Sequence, residues 1–135
     1  MNQSLLIFCW RFFFTYLFFL FRLTYRPPEF IIKPTNQTIH EGKKLVIYTK
    51  VRGIPKPEIA WFRDGKPLKS GDYRYNLFEK DDCNYFEIDN ISILDTGEYT
   101  CTASNVMGAV YSAISIVVEG RFVKNIARRI TKNIF

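Results

Sequence analysis

Chemistry-bearing residues are scarce in this 135-residue chain, which has one histidine and three cysteines. His40 stands alone beside Glu41-Gly42, and Cys9, Cys83 and Cys101 are scattered. Neither a metal-ligand cluster nor a nucleophile-and-base couple can be assembled from them. The seven glycines fall in turns and form no phosphate-cradling loop. The carboxylate pair Asp81-Asp82 reads as a solvated hairpin tip. No enzyme, no cofactor and no small-molecule substrate is therefore expected. Acidic residues are missing from both ends: residues 1–26 carry three basic side chains and residues 120–135 carry five, with no acid in either. Residues 27–119 hold 11 basic and 13 acidic residues, so the overall charge of +6 belongs to the ends. A nucleic-acid-binding domain would carry its own basic face, and this middle has none. Its 93 residues suffice for one modest core and not for two.

The chain divides into a Phe-rich segment (1–26), a patterned middle (27–119) and a basic tail or linker (120–135). The first holds ten of the 23 aromatic residues. Its apolar run Leu5–Phe21 is 17 residues long, broken by Arg11. As a helix it would reach about 25 Å, short of a ~30 Å hydrocarbon core. Four readings stay open. A secretory signal fits by position and length, but Met1–Ser4 has no basic residue and Thr24–Pro28 offers no small-residue cleavage site. A membrane anchor is the second; Arg22 and Arg26 after the run would place the domain in the cytoplasm. A non-native start to a longer chain is the third, and a buried or partner-bound helix the fourth. Membrane contact through residues 5–21 follows from the second.

The middle alternates apolar and polar residues in short runs, with turn signals every 8–12 residues. Strands are expected over 29–33, 43–51, 58–63, 73–78, 83–89, 98–105 and 110–118. Gly53-Ile54-Pro55-Lys56-Pro57 reads as a loop, since two prolines remove two backbone donors. Asp64-Gly65 and Lys80-Asp81-Asp82 read as turns, and His40 as part of a turn before a strand. No stretch keeps a 3.6-residue period for three turns. The fold class is all-β, a sandwich of two sheets.

Two sets of residues narrow it further. Trp61 lies in the third main strand, and Asp95-Thr96-Gly97-Glu98-Tyr99-Thr100-Cys101 follows the pattern D-x-G-x-Y-x-C. With Gly53-x-Pro55-x-Pro57, Trp61–Gly65, Phe86-x-Ile88-x-x-Ile91 and Cys101-x-Ala103-x-Asn105-x-x-Gly108, the middle resembles an immunoglobulin domain of the I-set. The resemblance implies that Trp61 anchors the core and that the Tyr99 hydroxyl bonds backbone at the preceding turn. It implies that Asp95 holds that turn, and Gly97 is expected to need a special backbone angle. It also implies a cysteine about 12 residues before Trp61, where Thr49 stands. Cys83 is expected on an edge-side strand and not as a partner for Cys101, so Cys101 reads as a buried free thiol.

Secreted domains of this size usually keep such a bridge. Its absence resembles the intracellular domains of titin, twitchin and the telokin-like module of myosin light chain kinase. That resemblance implies a cytoplasmic, sarcomeric or cytoskeletal protein-binding module. Two alternatives remain: a secreted or membrane-anchored adhesion or receptor protein, and a regulatory module beside a kinase in a longer parent. Asn36-Gln37-Thr38, Asn90-Ile91-Ser92 and Asn2-Gln3-Ser4 match the glycosylation pattern, which is common by chance. The expected partner is another protein, met at the Gly53, Pro55, Pro57 loop and the Asn105, Met107, Gly108 turn, with Met107 at an exposed tip. In the tail, Val123, Ile126, Ala127, Ile130 and Ile134 fall near one helical face and the basic residues elsewhere, a pattern that suits an anionic membrane or an acidic partner.

Overall fold

The computed structural model describes residues 3–69 and 71–134, which leaves Asn2 outside the described residues. Between two terminal helices lie β1 (Arg26–Ile32), β2 (Gln37–His40), β3 (Leu45–Ile54), β4 (Glu58–Arg63), β5 (Lys66–Pro67), β6 (Tyr75–Lys80), β7 (Cys83–Ile88), β8 (Gly97–Asn105) and β9 (Gly108–Glu119). They form two sheets, ordered β1-β3-β7-β6 and β2-β9-β8-β4-β5. The two-residue period of a strand is visible in burial. Leu45, Ile47 and Thr49 of β3 are buried while Val46 and Tyr48 face water. Ile114, Ile116 and Val118 of β9 follow the same rule.

Trp61 of β4 stacks on Phe86 of β7 with centroids 5.0 Å apart, and Phe86 meets Tyr99 of β8 at 5.5 Å. This aromatic column joins the two sheets. Each such buried side chain contributes roughly 1.5–3 kcal/mol. On the outer face of the first sheet Tyr48, Tyr85 and Phe78 line up across β3, β7 and β6, with centroids 5.9 and 5.1 Å apart.

The hairpin turns carry left-handed backbone. Asp64 and Gly65 have φ of 48° and 79°, and Asp81 and Asp82 have 52° and 60°. Two successive positive angles are the signature of type I′ hairpins, whose twist matches the strands. Asp81-Asp82 makes this turn without glycine.

Several expectations are corrected. His40, expected in a turn, ends β2, a strand not among those expected; its Gln-Thr-Ile-His gives one inward apolar residue and too little alternation to detect. It runs parallel to β9, from Gln37 opposite Ile116 to His40 opposite Glu119. His40 Nδ1 lies 3.0 Å from Glu119 Oε2. Gly53 and Ile54 belong to β3, so the loop there is shorter than expected. β7 lies between β3 and β6, so Cys83 is not on an edge strand, although it starts β7 at the turn.

β1 starts where β3 ends, with Arg26 opposite Ile54. The chain then changes sheets at the buried Pro34 and enters β2. β9 ends at the opposite pole, beside the end of β2. The polypeptide therefore enters the sandwich at one pole and leaves at the other.

Helix α1 (Gln3–Thr24) has 22 residues, about 33 Å of rise. It is five residues longer than the apolar run, with a mean hydropathy of 1.9 and no buried side chain. Its rings pack along its own length, Phe8 on Phe12 and Trp10 on Phe14 at 5.5 and 5.6 Å. Length and composition would let it cross a bilayer. Helix α2 (Arg121–Ile134) exposes Ile126, Ile130 and Ile134. The side chains of Val123 and Ala127 lie outside the described ones.

Candidate partner-binding surface

The two loops expected to meet partners converge at the pole where the chain enters. Asn105, the last residue of β8, ties them together. Its Nδ2 donates to the Arg26 carbonyl at 2.8 Å and to the Pro55 carbonyl at 3.0 Å. Its Oδ1 accepts the Met107 N–H at 2.8 Å. One carboxamide thus satisfies backbone groups from the start of β1, from the loop after β3 and from the β8–β9 turn. Gly53 is required by close approach: a Cβ there would lie 2.7 Å from Pro57 Cγ, 3.2 Å from Asn105 Nδ2 and 3.3 Å from Pro28 Cα. The resulting surface is braced on three sides.

Its exposed groups differ in part from those expected. Pro55 and Gly108 are exposed, whereas Pro57 is buried and Met107 half-buried. The apolar tip of the turn is Val106, 76% exposed. Ile54 is the other large apolar side chain presented there.

Behind this surface the core residues hold the fold. Trp61, Tyr99, Cys101, Asp95 and Thr49 are all buried. The Tyr99 hydroxyl donates to the Asp95 carbonyl at 2.9 Å, the backbone bond that the motif implied. Burial raises the Tyr99 pKa, against the opposing pull of the Arg63 guanidinium 5.6 Å over its ring. Asp95 accepts the Ser92 N–H at 2.8 Å, and Arg74 donates to both its oxygens at 2.8 and 2.6 Å. Arg63 Nη1 stands 3.7 Å from Asp95 Oδ1, and its Nη2 donates to the Leu94 carbonyl. Neither arginine was given a role from the sequence: Arg63 lies within the Trp61–Gly65 motif only as a mark of the family, Arg74 lies in no motif, and their partner lies about 20 or more positions away along the chain.

Gly97 is a correction. It is not among the residues with positive φ, and a Cβ would sit at 3.4 Å from the Asp64 carboxylate, an ordinary contact.

Cys101 is free, as are Cys83 and Cys9. Burial pushes the Cys101 thiol up to about 12. The Thr49 hydroxyl is fully buried and, among the described residues, has no hydrogen-bond partner; neither has Trp61 Nε1.

Of the glycosylation candidates, Asn36 is exposed and its Oδ1 accepts the Ser115 N–H at 2.9 Å. Asn90 is exposed in a left-handed turn at φ 53°.

The geometry has clear likenesses. The family described as Immunoglobulin I-set domain matches residues 28–118. Smooth-muscle myosin light chain kinase of Gallus gallus is 34% identical over 94 residues, which cover 70% of this chain and 5% of that protein. The titin homolog of Caenorhabditis elegans is 33% identical over 84 residues, 62% of this chain and a share that rounds to 0% of its own length. Human protein sidekick-1 is 32% identical over 94 residues, 70% of this chain and 4% of the relative. The chain thus spans a small fraction of each relative. Among solved structures, the titin M3 domain superposes with a TM-score of 0.65 at 29% identity, covering 70% of this chain and 98% of that one. Titin domains z1z2 in complex with telethonin superpose at 0.69 and 26% identity, covering 72% and 49%.

Proposed function

The chain belongs to the immunoglobulin I-set domain family, and from that membership we propose that it is a non-catalytic, protein-binding and structural module of a larger muscle-type cytoskeletal protein. Residues 27–119 are the working domain; residues 120–135 lead away from it at the far pole. The observation that carries this reading is the core completed without a disulfide. Thr49 is buried in β3 and Cys101 is a buried free thiol in β8. A bridge closing a loop of that length would be worth roughly 4 kcal/mol in the chain-entropy model, and a reducing compartment gives no use for it. The likeness to titin and to myosin light chain kinase supports a cytoplasmic, sarcomeric setting. The likeness to a kinase by name also supports a regulatory module beside a catalytic domain in the parent chain. Entry and exit at opposite poles suit a link in a series of domains.

A second reading has its own observation. The apolar, exposed α1, long enough to cross a bilayer, favours a membrane-anchored or secreted adhesion protein.

Mass and peptide mapping of the endogenous protein, captured through residues 28–119, separates them. The first reading expects a product far above 15.9 kDa with unmodified Asn36 and Asn90 and a reduced Cys101. A small product bearing glycan at either asparagine overturns it in favour of the second.

A further inference from the structure

Helix α2 separates its residue types more sharply than any other element. Successive residues of a helix turn by about 100°, so Ile126, Ile130 and Ile134 fall within an arc of about 80°. By position Val123 and Ala127 share it and widen it only to about 100°. The five basic residues of α2 occupy positions 121, 124, 128, 129 and 132, an arc of about 140° on the other side. No acidic residue lies anywhere in 120–135. Ile126, Ile130 and Ile134 are exposed, and so are Arg128, Arg129 and Lys132.

The sandwich does not cover this apolar arc. One residue, Gly120, separates β9 from α2. It is seated against the turn before β8, where a Cβ would lie 2.8 Å from Ile93 Cδ1. The helix therefore leaves the exit pole directly and without a slack linker. A helix of 14 residues, about 21 Å long, is marginal when alone in water. An apolar stripe left in water makes it more so.

We propose that α2 is a binding site for an anionic lipid surface, on which it lies flat with its isoleucine stripe in the acyl boundary and its cations among the headgroups. The shape of the stripe selects this occupant. A protein groove encloses a helix and takes large anchors from much of its circumference. Here less than a third of the circumference is apolar, and its residues are aliphatic. A flat interface touches one side only, and a strongly basic face opposite a narrow apolar one is the pattern of helices that lie in it. Long Arg and Lys stems let the cations reach headgroups on either side of the stripe. Charge fixes the orientation as well. Residues 27–119 carry 11 basic and 13 acidic residues, so an anionic surface draws α2 and not the sandwich. The cytoplasmic leaflet is the anionic face of a cell membrane, and a core built on free thiols suits that compartment. The site is additional to the protein-binding reading of the sandwich and does not rest on it.

The test holds the full chain with α1 in a nanodisc of phosphatidylcholine, a neutral lipid. The two helices leave the sandwich at opposite poles, so α2 remains accessible. Sucrose-loaded vesicles of phosphatidylcholine, with or without about 30% phosphatidylserine, are then added and sedimented. Binding to the anionic vesicles should be at least tenfold tighter than to the neutral ones. It should weaken at least tenfold as salt rises from about 50 to 300 mM. Amide exchange over Ile126–Ile134 should slow at least tenfold on the anionic vesicles, with β8 unchanged. Ile126→Asn together with Ile130→Asn keeps every charge and should weaken binding at least tenfold. Arg128→Gln together with Arg129→Gln keeps the stripe and should weaken it at least fivefold. All four side chains are exposed, so the melting temperature of the sandwich should stay level in both variants. Equal binding to the two kinds of vesicle overturns the proposal. So does anionic binding that survives loss of the isoleucines, since ionic attraction alone then accounts for it. Binding that neither variant alters lies elsewhere on the chain and overturns it too. Protection of Ile126–Ile134 by calcium-loaded calmodulin, with none from anionic vesicles, assigns α2 to an acidic protein and overturns the lipid site. Each of these failures leaves the reading of residues 27–119 as a protein-binding module untouched.

Discussion

At residue scale the buried polar groups decide most. The Thr49 hydroxyl lost its water and found no partner, a cost of roughly 1–3 kcal/mol. Thr49→Val, of nearly the same shape, should therefore raise stability by about 1 kcal/mol, seen as a higher denaturant midpoint at unchanged slope. Asp95 presents the opposite case, a buried carboxylate fully engaged by Ser92 and Arg74. Asp95→Ala leaves Arg74 without its anion and should cost about 3–5 kcal/mol by chemical denaturation. A pH dependence follows from Tyr99 and Cys101, whose pKa values burial raises, that of Cys101 up to about 12. The folded protein keeps both protons where the unfolded chain releases them. Stability should be level below the unfolded-state thiol pKa near 8.5 and should fall as pH climbs from there toward 12. The slope is about 1.4 kcal/mol per pH unit for each group titrating only in the unfolded chain. Urea midpoints of the parent and of Cys101→Ala between pH 8 and 11 check it: the variant's decline should be shallower.

At element scale the strands with clean alternation were legible, among them β3, β4, β8 and β9, because one face is apolar for three or more alternate positions. β2 and β5 were not, since four and two residues cannot display a period. The motif residues Trp61, Tyr99 and Asp95 fell where the sequence implied. Their supporting arginines, Arg63 and Arg74, did not announce themselves, because their role depends on which segments the sheets bring together. Asn105 was legible as a turn former and illegible as a brace, for the same reason. Asn105→Ala should release the β1 start, the loop and the hairpin together. The expected loss is about 1–3 kcal/mol, with faster amide exchange at Met107 as its local sign. At the β6–β7 hairpin, Asp81 and Asp82 occupy left-handed backbone. Asp82→Gly should relieve it and raise the thermal midpoint by a few degrees at most, glycine's entropy in the unfolded chain offsetting part of the gain.

At the scale of the whole molecule, charge and apolarity are partitioned: a near-neutral sandwich lies between an apolar helix and a basic one. Since no α1 side chain is buried, removing residues 1–24 should leave the melting temperature of the sandwich within a few degrees and improve solubility. A large loss would mean that the sandwich relies on α1. The parallel pairing of β2 with β9 has one more consequence, and it is mechanical. A pull on the chain ends draws β2 toward the entry pole and β9 toward the exit pole. The rungs from Gln37–Ile116 to His40–Glu119 are then loaded side by side, in shear. They must fail together and cannot unzip one at a time. Four residues that left almost no mark on the sequence form the latch that tension across this sandwich has to break.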